Sequence, residues 1–159
     1  MGKEEIHYDS THITFLEKIW GDGYMSPGGK EEISRLLTGL DLAEQTILDI
    51  GCGAGGITVS LVKDHGAKQV VGVDVEEDVV NAATKRVLKN GLNNNIDILL
   101  IDKSNLPFED NYFDIVFSKD SFVHIPDKEK IFTQVFKLLK PGGFFVFSDW
   151  LISHDQKPS

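Results

Sequence analysis

From Ile47 the chain reads Ile-Leu-Asp-Ile-Gly-Cys-Gly-Ala-Gly-Gly, an apolar run that breaks into a glycine loop and then a helical pattern. A turn built on Gly51 and Gly53 lets a ligand approach the backbone, and the free amides of the following helix start attract a negative group. Asp49 lies just ahead of the loop and beneath it, where a carboxylate attracts a cationic ligand and repels a pyrophosphate. Asp74 closes the next apolar run, a position from which an acid can accept the hydroxyls of a ribose. Asp102 closes the run after that, placed to accept from an adenine amino group. The glycines alone leave two readings open, because Gly51, Gly53 and Gly56 also satisfy the dinucleotide pattern G-x-G-x-x-G and Asp74 marks a nucleoside in either case.

Five short apolar runs, rich in β-branched or aromatic residues, must position these acids: Thr46 to Ile50, Gln69 to Val73, Ile96 to Ile101, Tyr112 to Phe117 and Gly143 to Ser148. They read as buried strands. Helical patterns alternate with them at Gly56 to Asp64, Glu76 to Asn90 and Asp127 to Leu139, stopped by Asn90-Gly91 and by Lys140-Pro141-Gly142-Gly143, with Asp127 as a candidate cap. The alternation predicts an α/β fold, a Rossmann-like doubly wound parallel sheet of five strands in order 3-2-1-4-5 with helices on both faces. Residues 1–45 are expected to form a helical lid segment, with helices near Thr11 to Trp20 and Lys30 to Leu37 around the loop Gly-Asp-Gly-Tyr-Met-Ser-Pro-Gly-Gly. Residues 46–159 form the ligand-binding domain, the two parts making one structural unit. The fifth strand would be left as an apolar edge (Phe144 to Phe147), which predicts a possible homodimer through it.

The chain has 159 residues and a formal net charge of −9, so its field would repel a phosphate backbone or an anionic membrane surface. Nucleic acid and membrane are therefore not expected partners. No apolar run approaches the roughly 18 residues of a membrane helix, and the first residues lack a signal-peptide core, so a cytoplasmic location is expected. The single cysteine, Cys52, reads as a small filler in the tight loop. No metal ion is expected.

Asp49 favours S-adenosylmethionine over NAD, because the cofactor's ammonium and sulfonium need negative partners, and Asp102 with the stretch that follows it is the second feature that does. With Leu106-Pro107-Phe108, Asp110 and Phe113-Asp114, the order and spacing from Thr46 to Asp149 resemble the class I S-adenosylmethionine-dependent methyltransferases. Methyl transfer from a sulfonium to nitrogen is an in-line displacement, which requires alignment, exclusion of water and an unprotonated amine. The run Phe117-Ser118-Lys119-Asp120-Ser121-Phe122-Val123-His124 follows the fourth strand, and puts Asp120 and His124 in a loop facing the cofactor, with Ser118 on the cofactor side. His124 could equally cap or pack the next helix.

The front of the chain, His7-Tyr8 followed by Ile19-Trp20-Gly21-Asp22-Gly23-Tyr24-Met25-Ser26-Pro27-Gly28-Gly29, is similar to the N-terminal segment of phosphoethanolamine N-methyltransferases of the plant and protozoan type. That resemblance implies a catalytic pair, Tyr8 as the tyrosine closing over the cofactor and His124 as its hydrogen-bonded partner, with Asp120 near the acceptor amine. It further implies that Met25 and Ser26 line the methionine part of S-adenosylmethionine. Asp74 with Val75 would hold the ribose, and Asp102 with Lys103 the adenine. Tyr24 fits as a wall of the site or as a loop aromatic packed on the domain. S-adenosylhomocysteine would be the product and a small-molecule methyl acceptor the partner. The chain departs from the family's pattern at Leu16 and Trp150, where tyrosines are expected, and appears without the C-terminal lid. Glycine, sarcosine or quinone-type acceptors, and a cofactor-binding domain without turnover, are the alternatives.

Overall fold

The run Thr46–Ile50 forms β1, flanked by β2 (Gln69–Asp74) and β4 (Phe113–Lys119), with β3 (Ile96–Leu100) and β5 (Leu139–Ser148) at the edges. This is a computed structural model, and it describes residues 8–103 and 105–151. The helices are α1 (Ser10–Trp20), α2 (Gly29–Leu36), α3 (Gly56–Lys63), α4 (Glu77–Lys89) and α5 (Lys128–Leu138), with a short 3-10 turn at Phe122–His124. All four strand pairings are parallel, and the order is β3-β2-β1-β4-β5, as the alternation of patterns predicts.

Successive β1 side chains go to opposite faces. Ile47 joins Ile33 of α2, Leu61 of α3 and Val87 of α4 in one core, while Leu48 and Ile50 join Ile131, Val135 and Leu138 of α5 in the other. The buried positions of α4, Val79, Ala83 and Val87, recur at helical spacing and explain why this stretch is a helix with one face inward. Asp9 caps α1 by accepting from the amides of Thr11 and His12, and Asp127 caps α5 by accepting from Lys130 N, as its place after Pro126 suggests. No helix among the described residues is long and apolar enough to cross a membrane.

Two expectations are corrected. Not every strand is buried: β3 exposes Leu99 and Leu100, because it is an edge strand with a neighbour on one side only. The Lys-Pro-Gly-Gly stretch is not a break before the last strand but part of it. Leu139 pairs with Phe113 and Phe144 with Ile115, so Pro141 and Gly142 sit in a bulge, with Gly142 at φ +82°. An edge strand tolerates a residue without an N–H, and a bulge absorbs the left-handed backbone. Asp114 anchors this end of the sheet by accepting from Thr46 N and Lys140 Nζ, each at 2.8 Å, so that motif acid is architectural.

Candidate active site

The loop after β1 lies at the carboxyl ends of the strands, where ligands bind in doubly wound sheets. Gly51 turns there at φ +71°, and a Cβ on it would fall 2.1 Å from Ser121 Oγ, so neither the backbone nor the space admits a side chain. Gly53 N donates to Asp74 Oδ2 at 3.1 Å, while Asp74 Oδ1 accepts from Val75 N and Glu76 N at 2.8 and 3.2 Å. The acid thus ties the loop to the start of α4. Burial raises its pKa against the effect of these amides. A carboxylate offers roughly four acceptor positions, so capacity for a ribose hydroxyl remains.

Asp49 lies under the loop as expected, but deeper, at 1% exposure. Its Oδ2 accepts from Thr58 Oγ1 at 2.7 Å, and its Oδ1 is enclosed without a partner among the described residues. Burial pushes its pKa up to about 7, with the nearby Asp74 adding to the rise. An orphaned carboxylate oxygen beneath a loop crowded against side chains fits a ligand with a positive centre. Cys52 is buried beside it, and its thiol pKa is pushed up by burial, which agrees with a filler role.

The N-terminal segment seals the other side of the loop. Met25 Sδ stands 3.3 Å from where a Cβ on Gly53 would be, and Gly56 N donates to Gly23 O at 3.0 Å. A Cβ on Gly56 would meet Gly23 O at 2.5 Å, so the third glycine of the pattern serves contact with this segment. Arg86 of α4 clamps the contact: its Nε donates to Ala54 O at 2.8 Å, and its other nitrogens pair with Glu17 and Asp22. Glu17 in turn accepts from Gly23 N. Sequence reasoning missed this clamp, because an arginine on an amphipathic helix reads as a solvated residue.

At the end of β4 the expectations divide. Ser118, expected on the cofactor side, is fully buried and donates to Ile50 O at 2.9 Å; it joins β4 to β1, and its side chain is withdrawn from the site. Tyr24 packs with the α2 and α3 core, its hydroxyl enclosed and its pKa raised by burial, which favours the packed-aromatic alternative over a wall of the site. Asp120 adopts φ +55°, a left-handed conformation uncommon outside glycine, and its N donates to Ser148 O. Ser26 and Asp120 are brought together by Lys119, a residue that sequence reasoning passed over.

His124 is exposed on the 3-10 turn, and Tyr8, like Met25, packs against the small core of Ile13, Ala54 and Val79; no hydrogen bond joins Tyr8 and His124 among the described residues. His7 lies outside those residues. Val75 follows β2 and is exposed, and Asp102 with Lys103 lies in the exposed loop after β3. These positions are neighbours because Asp74 pairs with Leu100, and Ile101 N donates to Asp74 O. Among the described residues no group of His, Cys, Asp or Glu is arranged to hold a metal ion.

Residues 42–158 match a family model described as a methyltransferase domain. The chain is 34% identical to wheat phosphoethanolamine N-methyltransferase 1 over 92% of its own length and 29% of the relative's. With the Plasmodium falciparum phosphoethanolamine N-methyltransferase it shares 33% identity over 92% of its length and 55% of the other. A Haemonchus contortus enzyme of the same name, solved with phosphomonomethylethanolamine and S-adenosylhomocysteine, superposes with a TM-score of 0.89 at 33% identity, over 95% of this chain and 36% of that one. The chain therefore spans about three tenths of the first curated relatives it matches. With the sheet order of the class I methyltransferases and a domain match over most of its length, the chain belongs to the methyltransferase-domain family.

Proposed function

We propose that the chain binds S-adenosylmethionine at the carboxyl ends of β1 and β2 and transfers its methyl group to the nitrogen of a small amine, with phosphoethanolamine or its monomethyl derivative as first candidate. The observation that carries the reading is the joined cradle, in which Gly53 N meets Asp74 Oδ2 at 3.1 Å while Met25 covers the loop from the N-terminal side. Bound S-adenosylmethionine would supply an electrophilic methyl group. Asp74 and Val75 would hold its ribose, Asp102 and Lys103 its adenine, and Gly51, Gly53, Met25 and Ser26 its methionine end, above Asp49, whose charged form the cationic cofactor would favour. Asp120 would orient the acceptor amine. Tyr8 and His124 would close as latch and proton relay, which requires the Tyr8 end of the lid segment, residues 1–45, to move toward the 3-10 turn when the site fills.

Calorimetry with S-adenosylmethionine and with NAD tests the cofactor, and a panel of phosphoethanolamine, glycine, sarcosine and a quinone-type phenol tests the acceptor. Hydrogen bonds to a charged group are worth about 1.5–3 kcal/mol each, so Asp74→Ala should weaken S-adenosylmethionine binding at least about tenfold. Unchanged affinity would overturn the ribose assignment. His124→Ala should reduce turnover far more than binding, the signature of an interaction realised in the transition state. Binding with no methylated product from any acceptor would overturn the transfer and leave a domain that holds the cofactor without turnover. A cytoplasmic location and a homodimer through β5 belong to the same proposal; fractionation against a marker enzyme tests the first.

A further inference from the structure

Lys119 ends β4 with its side chain only 2% exposed, although lysines are almost never fully buried unless paired. Its ammonium donates to Pro27 O at 2.7 Å and to Ser26 Oγ at 3.0 Å, and it pairs with Glu32 at 3.2 Å and with the neighbouring Asp120. These acceptors come from three separate pieces of chain: the loop before α2, α2 itself, and the turn after β4. On β5 the register partner of Lys119 is Ser148, whose backbone oxygen accepts from Asp120 N and whose hydroxyl is enclosed without a partner among the described residues. The left-handed backbone of Asp120 is thus held from two sides, by a strand and by a buried charge.

We propose that Lys119 is a positioning residue for the methyl transfer, fixing with one ammonium both the Ser26–Pro27 cover of the glycine loop and the Asp120 carboxylate on the acceptor side. Docking of the N-terminal segment and readiness of Asp120 are then one event. Without the ammonium, Asp120 and Glu32 face each other as like charges, and Ser26 and Pro27 lose their shared anchor. One ammonium between two carboxylates leaves a residual negative charge, which suits an acceptor whose amine arrives protonated. The catalytic half of this inference rests on the proposed methyl transfer, whereas the coupling itself is a property of the free protein.

Hydrogen exchange on the full chain tests the coupling with no cofactor present. In K119M, amides 21–28 and 120–124 should lose protection together, by about tenfold or more, while those of β1 keep theirs. K119R, which retains the charge and several donors, should restore both segments at least in part. Loss at one segment alone, or at neither, overturns the proposal; should K119M fail to fold, S26A, which deletes one acceptor, and E32Q, which deletes one negative charge, must each perturb both segments. In turnover, K119M should raise the acceptor KM and lower kcat, again with rescue by K119R, and an unchanged KM and kcat would remove the catalytic half. Failure of the wild-type chain to bind S-adenosylmethionine would instead count against the function proposed above and leave the exchange result to decide the coupling.

Discussion

Asp49 holds its proton more tightly folded than unfolded, since burial moves its pKa from 3.8 up to about 7. A raised pKa means that the fold favours the protonated acid, so the stability this group contributes is complete below its unfolded value and is lost as pH climbs through about 7. Urea midpoints between about pH 4 and pH 8 should therefore fall more steeply for the wild type than for Asp49→Asn, and parallel profiles would show that Asp49 is charged in the fold. The position of this acid was legible in the sequence because the strand, glycine loop and helix pattern fixes what precedes Gly51. Its depth was not, since exposure depends on how closely α3 brings Thr58. The surroundings of Ser118 and Lys119 were not legible for a related reason: adjacent strand residues point to opposite faces, and only the packing around β4 decides what meets each, Ile50 O for Ser118 and Ser26 for Lys119.

Among the elements, α1 and the loop before α2 are fastened to α4 by Arg86, and the loop is fastened to α3 by the backbone contact of Gly23 with Gly56. Gly56→Ala pushes a methyl group to 2.5 Å from Gly23 O, and overpacking of this kind costs about 1–3 kcal/mol. Gly66, in contrast, faces open space at φ +77°, so Gly66→Ala meets only the backbone preference, about 1 kcal/mol. Denaturant midpoints should show the larger loss at Gly56, accompanied by faster exchange in residues 21–28; equal losses would mean that the contact yields without cost. The strand-helix alternation made most elements readable, since their apolar periods differ. The bulge in β5 was not readable, because Pro-Gly-Gly marks a stop unless a neighbouring strand captures it.

For the molecule as a whole, the order of the five strands followed from the alternation and the glycine loop, whereas the unequal cover of the sheet did not. Phe144 and Phe147 stand exposed on β5, and on the α5 side Phe136 is exposed as well. Through the proposed β5 pairing, sedimentation should show association that rises with protein concentration and is weakened by Phe144→Lys; a monomer at every concentration would refute it. The buried Cys52 gives this molecule one more property. It is the sole cysteine of the chain, enclosed in the cradle with its thiol pKa raised, so a thiol reagent near neutral pH should find nothing to label in the native protein and one site in the denatured one. Labelling then proceeds only through openings of the cradle, so its rate is a clock for that motion. A ligand that fits there should slow the clock in proportion to its occupancy, without any need for turnover.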